Sequence, residues 1–267
     1  MALNTAGTSP LPLAGQIAVV SGASSGIGAA IARELSAKGA SVVINYPFES
    51  EKDKAEHVLQ SLKGPAKSII IEADLSTVTG PTKLAAATAE VFGKIDILVN
   101  NAGLSVLSDL EDLDDEKLAE LFDTVVGLNG RGTLLLTRAV LPYLSRHDSR
   151  IVNICSTTSR SPDPNMSVYA GSKGMVESFT RCWAKDLPRK YGCTVNAVAP
   201  GPVATESMRD APPELRRLLQ ANFQNIPVAS RMAEPHEIAW VVAMLCDRGA
   251  GWMNGLYVPV CGGSLLN

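Results

Sequence analysis

Short apolar runs rich in valine and isoleucine recur along the chain at 17–20, 41–45, 68–71, 95–99, 150–155, 194–198 and 256–260. Each is apolar almost throughout, the pattern of a strand buried on both faces of a sheet rather than one with a wet side. Between them lie longer stretches with helical periodicity, at 26–38, 50–62, 80–92, 114–143, 168–190 and 235–246. Strands separated by helices predict βαβ units, and hence one doubly wound α/β domain over residues 15–267 with a seven-stranded parallel sheet. Residues 1–14, with Pro10 and Pro12, are expected to form a flexible arm. The alternation breaks at 202–232, where Pro202, Pro212, Pro213 and Pro227 surround a helical stretch at 214–222. This insertion follows the sixth strand at the edge where such sheets bind ligands, so it is expected to be a substrate lid.

The first strand runs into Ser21-Gly22-Ala23-Ser24-Ser25-Gly26-Ile27-Gly28 before a helix begins. Glycines at 22, 26 and 28 suit a tight turn that lets a pyrophosphate approach backbone N–H groups and the helix N-terminus. The spacing is GxxxGxG rather than the commoner GxGxxG of dinucleotide sites, but its place between strand and helix supports the same reading.

From here the chain resembles the short-chain dehydrogenase/reductase family, over about residues 15–263. Asn100-Asn101-Ala102-Gly103 follows the fourth strand as the family's NNAG does, and Asp74 follows the third strand where members place an acid that contacts adenine. Tyr169-Ala170-Gly171-Ser172-Lys173 matches YxxxK, Ser156 precedes Tyr169 by the family's 13 residues, and Asn129 matches the catalytic asparagine. Pro200-Gly201-Pro202-Val203-Ala204-Thr205 matches the PGxxxT segment beside the nicotinamide. The resemblance implies a Rossmann-type fold with Asn129, Ser156, Tyr169 and Lys173 as catalytic residues. It also implies a cofactor site that includes Gly22, Ser24, Ser25, Gly26, Ile27, Gly28, Asp74, Asn101, Ala102, Gly103, Pro200, Gly201, Val203 and Thr205, together with Tyr169 and Lys173. Two positions depart from the pattern. Cys261 stands where an Asp usually precedes the paired glycines, which puts the geometry of that loop in question, and Cys155 replaces the first of two serines.

The residues support the same chemistry directly. Tyr169 and Lys173 are four apart on a predicted helix and share one face. A free phenol titrates near 10, about three units too high for proton exchange at neutral pH, and a nearby ammonium is expected to lower it. Ser156, at the end of the fifth strand, is placed to hydrogen-bond an oxygen on which charge develops. The resemblance adds the full set of expected roles: proton donor for Tyr169, substrate-oxygen ligand for Ser156, ribose ligand for Lys173 and holder of a relay water for Asn129. An acid at the end of the second strand would accept from a ribose 2′-hydroxyl and repel a 2′-phosphate. Tyr46 occupies that position here, so NADP(H) is the expected cofactor ahead of NAD(H), with Ser24 and Tyr46 as candidate phosphate ligands. No arginine follows the strand, because Pro47 takes its place.

Within the family, 168–174 and 251–255 look most like fungal polyhydroxynaphthalene reductases, which implies a biosynthetic ketone–alcohol interconversion on a polycyclic or aromatic substrate. Sugar dehydrogenases and acyl-carrier-protein ketoreductases share much of the pattern. A non-redox enzyme or a cofactor-binding regulator on the same fold would relax at least one of the four catalytic positions. The long helical stretches resemble the pair that forms a four-helix interface in this family, so a homotetramer is expected.

Composition narrows the setting. The 267 residues carry a formal charge of −3, which argues against a nucleic-acid or anionic-membrane partner. No apolar run approaches the roughly 18 residues that would span a bilayer, and the start lacks a basic region followed by an apolar one. The five cysteines form no CxxC pair, and the three histidines are isolated from other ligand types at metal spacing. Reduced thiols, no metal and a cytoplasmic location are therefore expected.

Overall fold

The computed structural model describes residues 11–209 and 223–266. Most of the expected arm and the expected lid helix at 214–222 lie outside the described residues. The seven strands are β1 (Ile17–Val20), β2 (Ser41–Tyr46), β3 (Ile69–Glu72), β4 (Ile97–Asn100), β5 (Ser149–Ile154), β6 (Cys193–Pro200) and β7 (Tyr257–Val260). They form one parallel sheet in the order β3-β2-β1-β4-β5-β6-β7. The order reverses between β1 and β4, and that switch opens a crevice at the carboxyl ends of the strands.

The continuous apolar strands supply two cores, because successive residues point to opposite faces. Ala18, Val20, Val42, Ile44, Ile97 and Val99 join one cluster with side chains of α1 (Gly26–Ala37), α2 (Lys52–Gln60) and the last helix. Val19, Val43, Leu98, Ile151 and Val195 join the other with α3 (Gly80–Phe92) and α5 (Thr133–Val140). Pro259 in β7 costs the sheet little, since β7 is an edge strand.

Two long helices read from periodicity are broken in the structure. The stretch 114–143 comprises α4 (Asp115–Val126), a π-helical segment at Gly127–Gly132, α5 and a closing 3-10 turn. The stretch 168–190 ends α6 (Ser167–Asp186) just before Pro188, which opens the single turn α7 (Pro188–Tyr191). Proline is suited to a first helical turn and not to a helix interior. After β6 the chain makes the turn α8 (Glu206–Arg209), and the returning limb leads into α9 (Pro235–Cys246). In that limb Val228 N–H donates to Gly262 O at 3.1 Å. The loop at Cys261 closes with Gly262 at φ +62° and Gly263 at φ +89°, while Cys261 Sγ accepts from Leu265 N–H at 3.4 Å. A thiol thus serves the loop where an Asp is usual.

Candidate active site

The crevice is built first by the glycine loop. Gly22 and Gly26 adopt φ of +59° and +55°, the left-handed region that side chains other than glycine rarely enter. A Cβ on Gly28 would lie 2.3 Å from Gly22 O, so loop and helix meet at backbone contact. The segment after β4 braces the loop. Asn101 Nδ2 donates to Ser21 O and Gly22 O at 2.8 and 3.0 Å, and Ser21 Oγ accepts from the N–H groups of Asn101 and Ala102. Asn45 at the end of β2 accepts from Gly22 N–H at 3.1 Å. Thr205 comes against Gly26 from the other side, which brings the Pro200–Thr205 segment to the loop.

Beneath the crevice, a ladder of buried amides ties two helices to the sheet. Asn100 Nδ2 donates to Thr137 Oγ1 and Asn153 Oδ1, and Asn153 Nδ2 donates to Thr180 Oγ1. The π-helical segment turns Asn129 inward, consistent with the occurrence of such segments at functional sites. Its Oδ1 accepts from Leu104 N–H at 2.8 Å, while Nδ2 donates to Leu104 O and Ser172 Oγ, both at 2.9 Å. Both amide hydrogens are spent on bracing the loop after β4 against α6. Asp74 is similarly engaged, because Oδ1 accepts from Ser76 N–H and Oγ–H.

Ser156 follows β5 and caps a 3-10 turn, with its Oγ accepting from Thr158 N–H at 3.2 Å and Thr158 Oγ1–H at 2.8 Å. Tyr169 and Lys173 lie on one face of α6. The half-buried Tyr169 phenol is hydrogen-bonded to the Ser156 side chain, and Lys173 Nζ sits 5.9 Å from its ring centre. Lys173 is 5% exposed and donates to Ile154 O at 2.8 Å. A Cβ on Gly103 would lie 3.1 Å from Asn129 Oδ1 and 3.3 Å from Lys173 Nζ, so the NNAG segment, Asn129 and Lys173 converge. Burial pushes the Tyr169 phenol up to about 12, against the lowering effect of the Ser156 bond. The lowering expected from Lys173 is absent, and burial moves that ammonium below its own usual range. Desolvation decides the direction at both groups.

Tyr46 takes a different place from the one its position suggests. Its ring is 5% exposed and belongs to the core, with burial and the nearby Glu49 raising its phenol. It does not line the cavity of about 410 Å³ beside the glycine loop, whose walls include Ser24, Ser25, Arg33, Lys54 and Thr205. Two groups near the site escaped the sequence reading. Tyr257 Oη–H donates to Ser156 O at 2.9 Å, and Ser159 Oγ–H donates to Glu177 at 2.8 Å. Glu177 falls four residues after Lys173 on the same helical face, a spacing that could have flagged it. The other is Glu51, which Ser24 Oγ–H contacts at 3.3 Å.

Comparison with known proteins gives the family. A family model described as enoyl-(acyl carrier protein) reductase matches residues 22–264. The short-chain dehydrogenase/reductase FrzI of a Cladobotryum species is 38% identical over 258 residues, covering 95% of this chain and 97% of its own. The chain belongs to the short-chain dehydrogenase/reductase family. A hydroxynaphthalene reductase of Aspergillus fumigatus is another member, 34% identical over 96% of this chain and 95% of its own. Among solved structures of the family, the angucycline C-6 ketoreductase LanV with bound NADP superposes with a TM-score of 0.85. It is 31% identical over 96% of this chain and 98% of its own. The protein is an oxidoreductase of this family that uses a nicotinamide cofactor, and the glycine loop fits that group: at Gly22 and Gly28 the close approaches exclude any side chain, which leaves the bare turn before a helix that suits a pyrophosphate. Among the described residues, no cluster of His, Cys, Asp and Glu is placed to hold a metal, and no helix is long and apolar enough to cross a membrane.

Proposed function

We propose that the protein is an NADP(H)-dependent ketoreductase that converts a ketone of a polycyclic or aromatic compound to a secondary alcohol in a biosynthetic pathway. The observation that carries this reading is the junction of Ser156, Tyr169 and Lys173 at the carboxyl end of β5, next to the glycine loop. A bound dinucleotide supplies the hydride. Tyr169 gives its phenolic proton to the substrate oxygen, and a phenol at about 12 keeps that proton at every physiological pH. Ser156 Oγ holds the same oxygen as charge develops on it. Lys173, on the same face of α6 as Tyr169, binds the ribose hydroxyls. Asn129 positions Leu104 and Ser172, and through them the two walls of the crevice.

An apolar rim supports the aromatic substrate. Leu104, Leu107 and Leu110 are exposed on the loop after β4, and Ser108 ties that loop to the start of α6, with its N–H donating to Asn165 O and its Oγ accepting from Val168 N–H. Ser108 thus holds this leucine-bearing loop to the residues that lead into Tyr169. The NADP(H) preference is supported by the NADP in LanV and by the uncharged end of β2. Steady-state assays of polycyclic aromatic ketones, sugar-derived ketones and acyl thioesters with NADPH and NADH in parallel test the reading. Turnover of the first class with NADPH is the expected result, and turnover confined to sugars or thioesters overturns the substrate assignment.

A further inference from the structure

Ser156 has one proton to give, and the turn that follows it decides where that proton goes. A serine hydroxyl carries one donor and two acceptor positions. Ser156 Oγ accepts from Thr158 N–H at 3.2 Å and from Thr158 Oγ1–H at 2.8 Å. One residue thus fills both acceptor positions, and the remaining contact of the hydroxyl, to the Tyr169 phenol, is one in which Ser156 donates. The turn that carries Thr158, Thr157–Ser159, is pinned on both sides. Thr157 Oγ1–H donates to Pro200 O at 3.3 Å, Ser159 Oγ–H donates to Glu177 Oε2 at 2.8 Å, and Tyr257 Oη–H donates to Ser156 O at 2.9 Å. Glu177 is itself held by Arg160 Nε at 3.1 Å and by Arg181 Nη1 at 2.6 Å. Thr158 therefore leaves Ser156 only if contacts to β6, α6 and β7 break with it.

Both protons that a ketone reduction needs depend on this arrangement. With an acceptor position of Ser156 open, the Tyr169 O–H would spend its proton on Ser156 Oγ in place of a substrate. The Ser156 proton would in turn be free to rotate toward Thr158. With both positions filled, Ser156 presents only its proton, and a carbonyl oxygen at the site meets two donors with no competing acceptor between them. Donors fixed in advance stabilise developing charge without reorganising at the moment of reaction. We infer that Thr158 is a positioning residue for the reduction: its hydroxyl and backbone N–H hold Ser156 Oγ as a donor and keep the Tyr169 proton for the substrate. The inference rests on the roles proposed above for Ser156 and Tyr169.

Thr158→Val keeps the branched shape and the backbone N–H and removes the hydroxyl donor, whereas Thr158→Ser keeps the donor and loses the methyl. Steady-state turnover is measured with the dinucleotide and the carbonyl compound that the parent protein uses fastest in the assays above. The proteins compared are the parent, both variants, Ser156→Ala, and Ser156→Ala combined with Thr158→Val. Thr158→Val is expected to lose about tenfold in kcat and in kcat/KM alike, the signature of an interaction made in the transition state. Its dinucleotide affinity by calorimetry should stay within about twofold of the parent, because the lost donor serves the substrate oxygen. Thr158→Ser should turn over within about threefold of the parent even at a lower Tm, which separates the donor from packing. Ser156→Ala is expected to lose about 10²–10³-fold, and adding Thr158→Val to it should cost nothing more, because no serine is left to orient. Thr158→Ala carries the same expectation as Thr158→Val and serves if the latter melts below the assay temperature. Parental turnover in the folded variant lacking the hydroxyl, an equal loss in Thr158→Ser, or a further tenfold loss on the Ser156→Ala background would overturn the role of Thr158 and leave the reading of the site standing. Ser156→Ala at the parental rate, or no turnover of any of the three substrate classes by the parent, would overturn that reading itself, and the inference with it.

Discussion

Gly28→Ala and Gly174→Ala are the same chemical change inside two helices, and the structure gives them opposite signs. Alanine in a helix interior is favoured over glycine by about 0.8–1.0 kcal/mol. At Gly174 in α6 a Cβ meets nothing within 4 Å, so that gain should appear whole. For a chain of this size it should raise Tm by about 2–4 °C. At Gly28 in α1 the Cβ would sit 2.3 Å from Gly22 O, 2.6 Å from Asn101 Nδ2 and 2.9 Å from Ala23 Cα. Gly22 O is held by Asn101, so the clash falls on braced backbone and not on a side chain that can swing away. Overpacking of this kind costs about 1–3 kcal/mol, and backbone on both sides puts this site at the upper end. Subtracting the helix gain leaves a net loss of about 2 kcal/mol. The loop must also move by about 1 Å to restore ordinary contact, and misplacement on that scale near a reacting centre costs about a hundredfold in rate. Urea unfolding and thermal melts measure the first effect, and calorimetric dinucleotide binding with steady-state turnover measures the second. A Gly28→Ala protein with the parental Tm and dinucleotide affinity would refute the packing argument. So would a Gly174→Ala protein that melts earlier than its parent.

Three further outcomes follow from particular contacts. Burial raises the Tyr169 phenol from 10 to about 12, so the neutral phenol's stabilisation is complete below pH 10 and is lost as pH rises toward 12. Wild type should therefore lose about 1.4 kcal/mol more than Tyr169→Phe between pH 9 and pH 11 in urea titrations, and parallel losses would contradict the assignment. Asn153→Ala leaves the Asn100 amide and the Thr180 hydroxyl short of partners beneath the crevice, and should cost about 1–3 kcal/mol of stability. Exposed Phe122 and Leu134 on the α4–α5 stretch fit the proposed homotetramer, and light scattering at micromolar concentration should give four times the chain mass of 28.1 kDa, where a monomer mass would refute it.

The sheet was legible because its strands are apolar on both faces, and the glycine loop because its spacing sits between a strand and a helix. The same evenness hid the direction of Tyr46: all six residues of β2 are buried, so no alternation marks which side chains face the crevice. The π-helical segment at Gly127–Gly132 was invisible because six residues barely disturb a helical period, although three glycines in that stretch relax the backbone. Glu51 looked like an ordinary acid near a helix start. Its approach to Ser24 is a tertiary contact that spacing does not encode. The same holds for the Tyr169 phenol, whose direction of shift is decided by burial and not by the four-residue interval to Lys173.

The central claim is that Tyr169 delivers a proton while a nicotinamide cofactor delivers hydride to the same carbonyl. Its most direct test follows the near-ultraviolet absorbance of NADPH with a polycyclic aromatic ketone, for the parent protein and Tyr169→Phe side by side, with dinucleotide affinity measured on both. The account predicts ketone-dependent loss of absorbance for the parent and a rate reduced by about 10²–10⁴-fold in the variant, at nearly unchanged affinity. Tyr169→Phe turning over at close to the parental rate would contradict it.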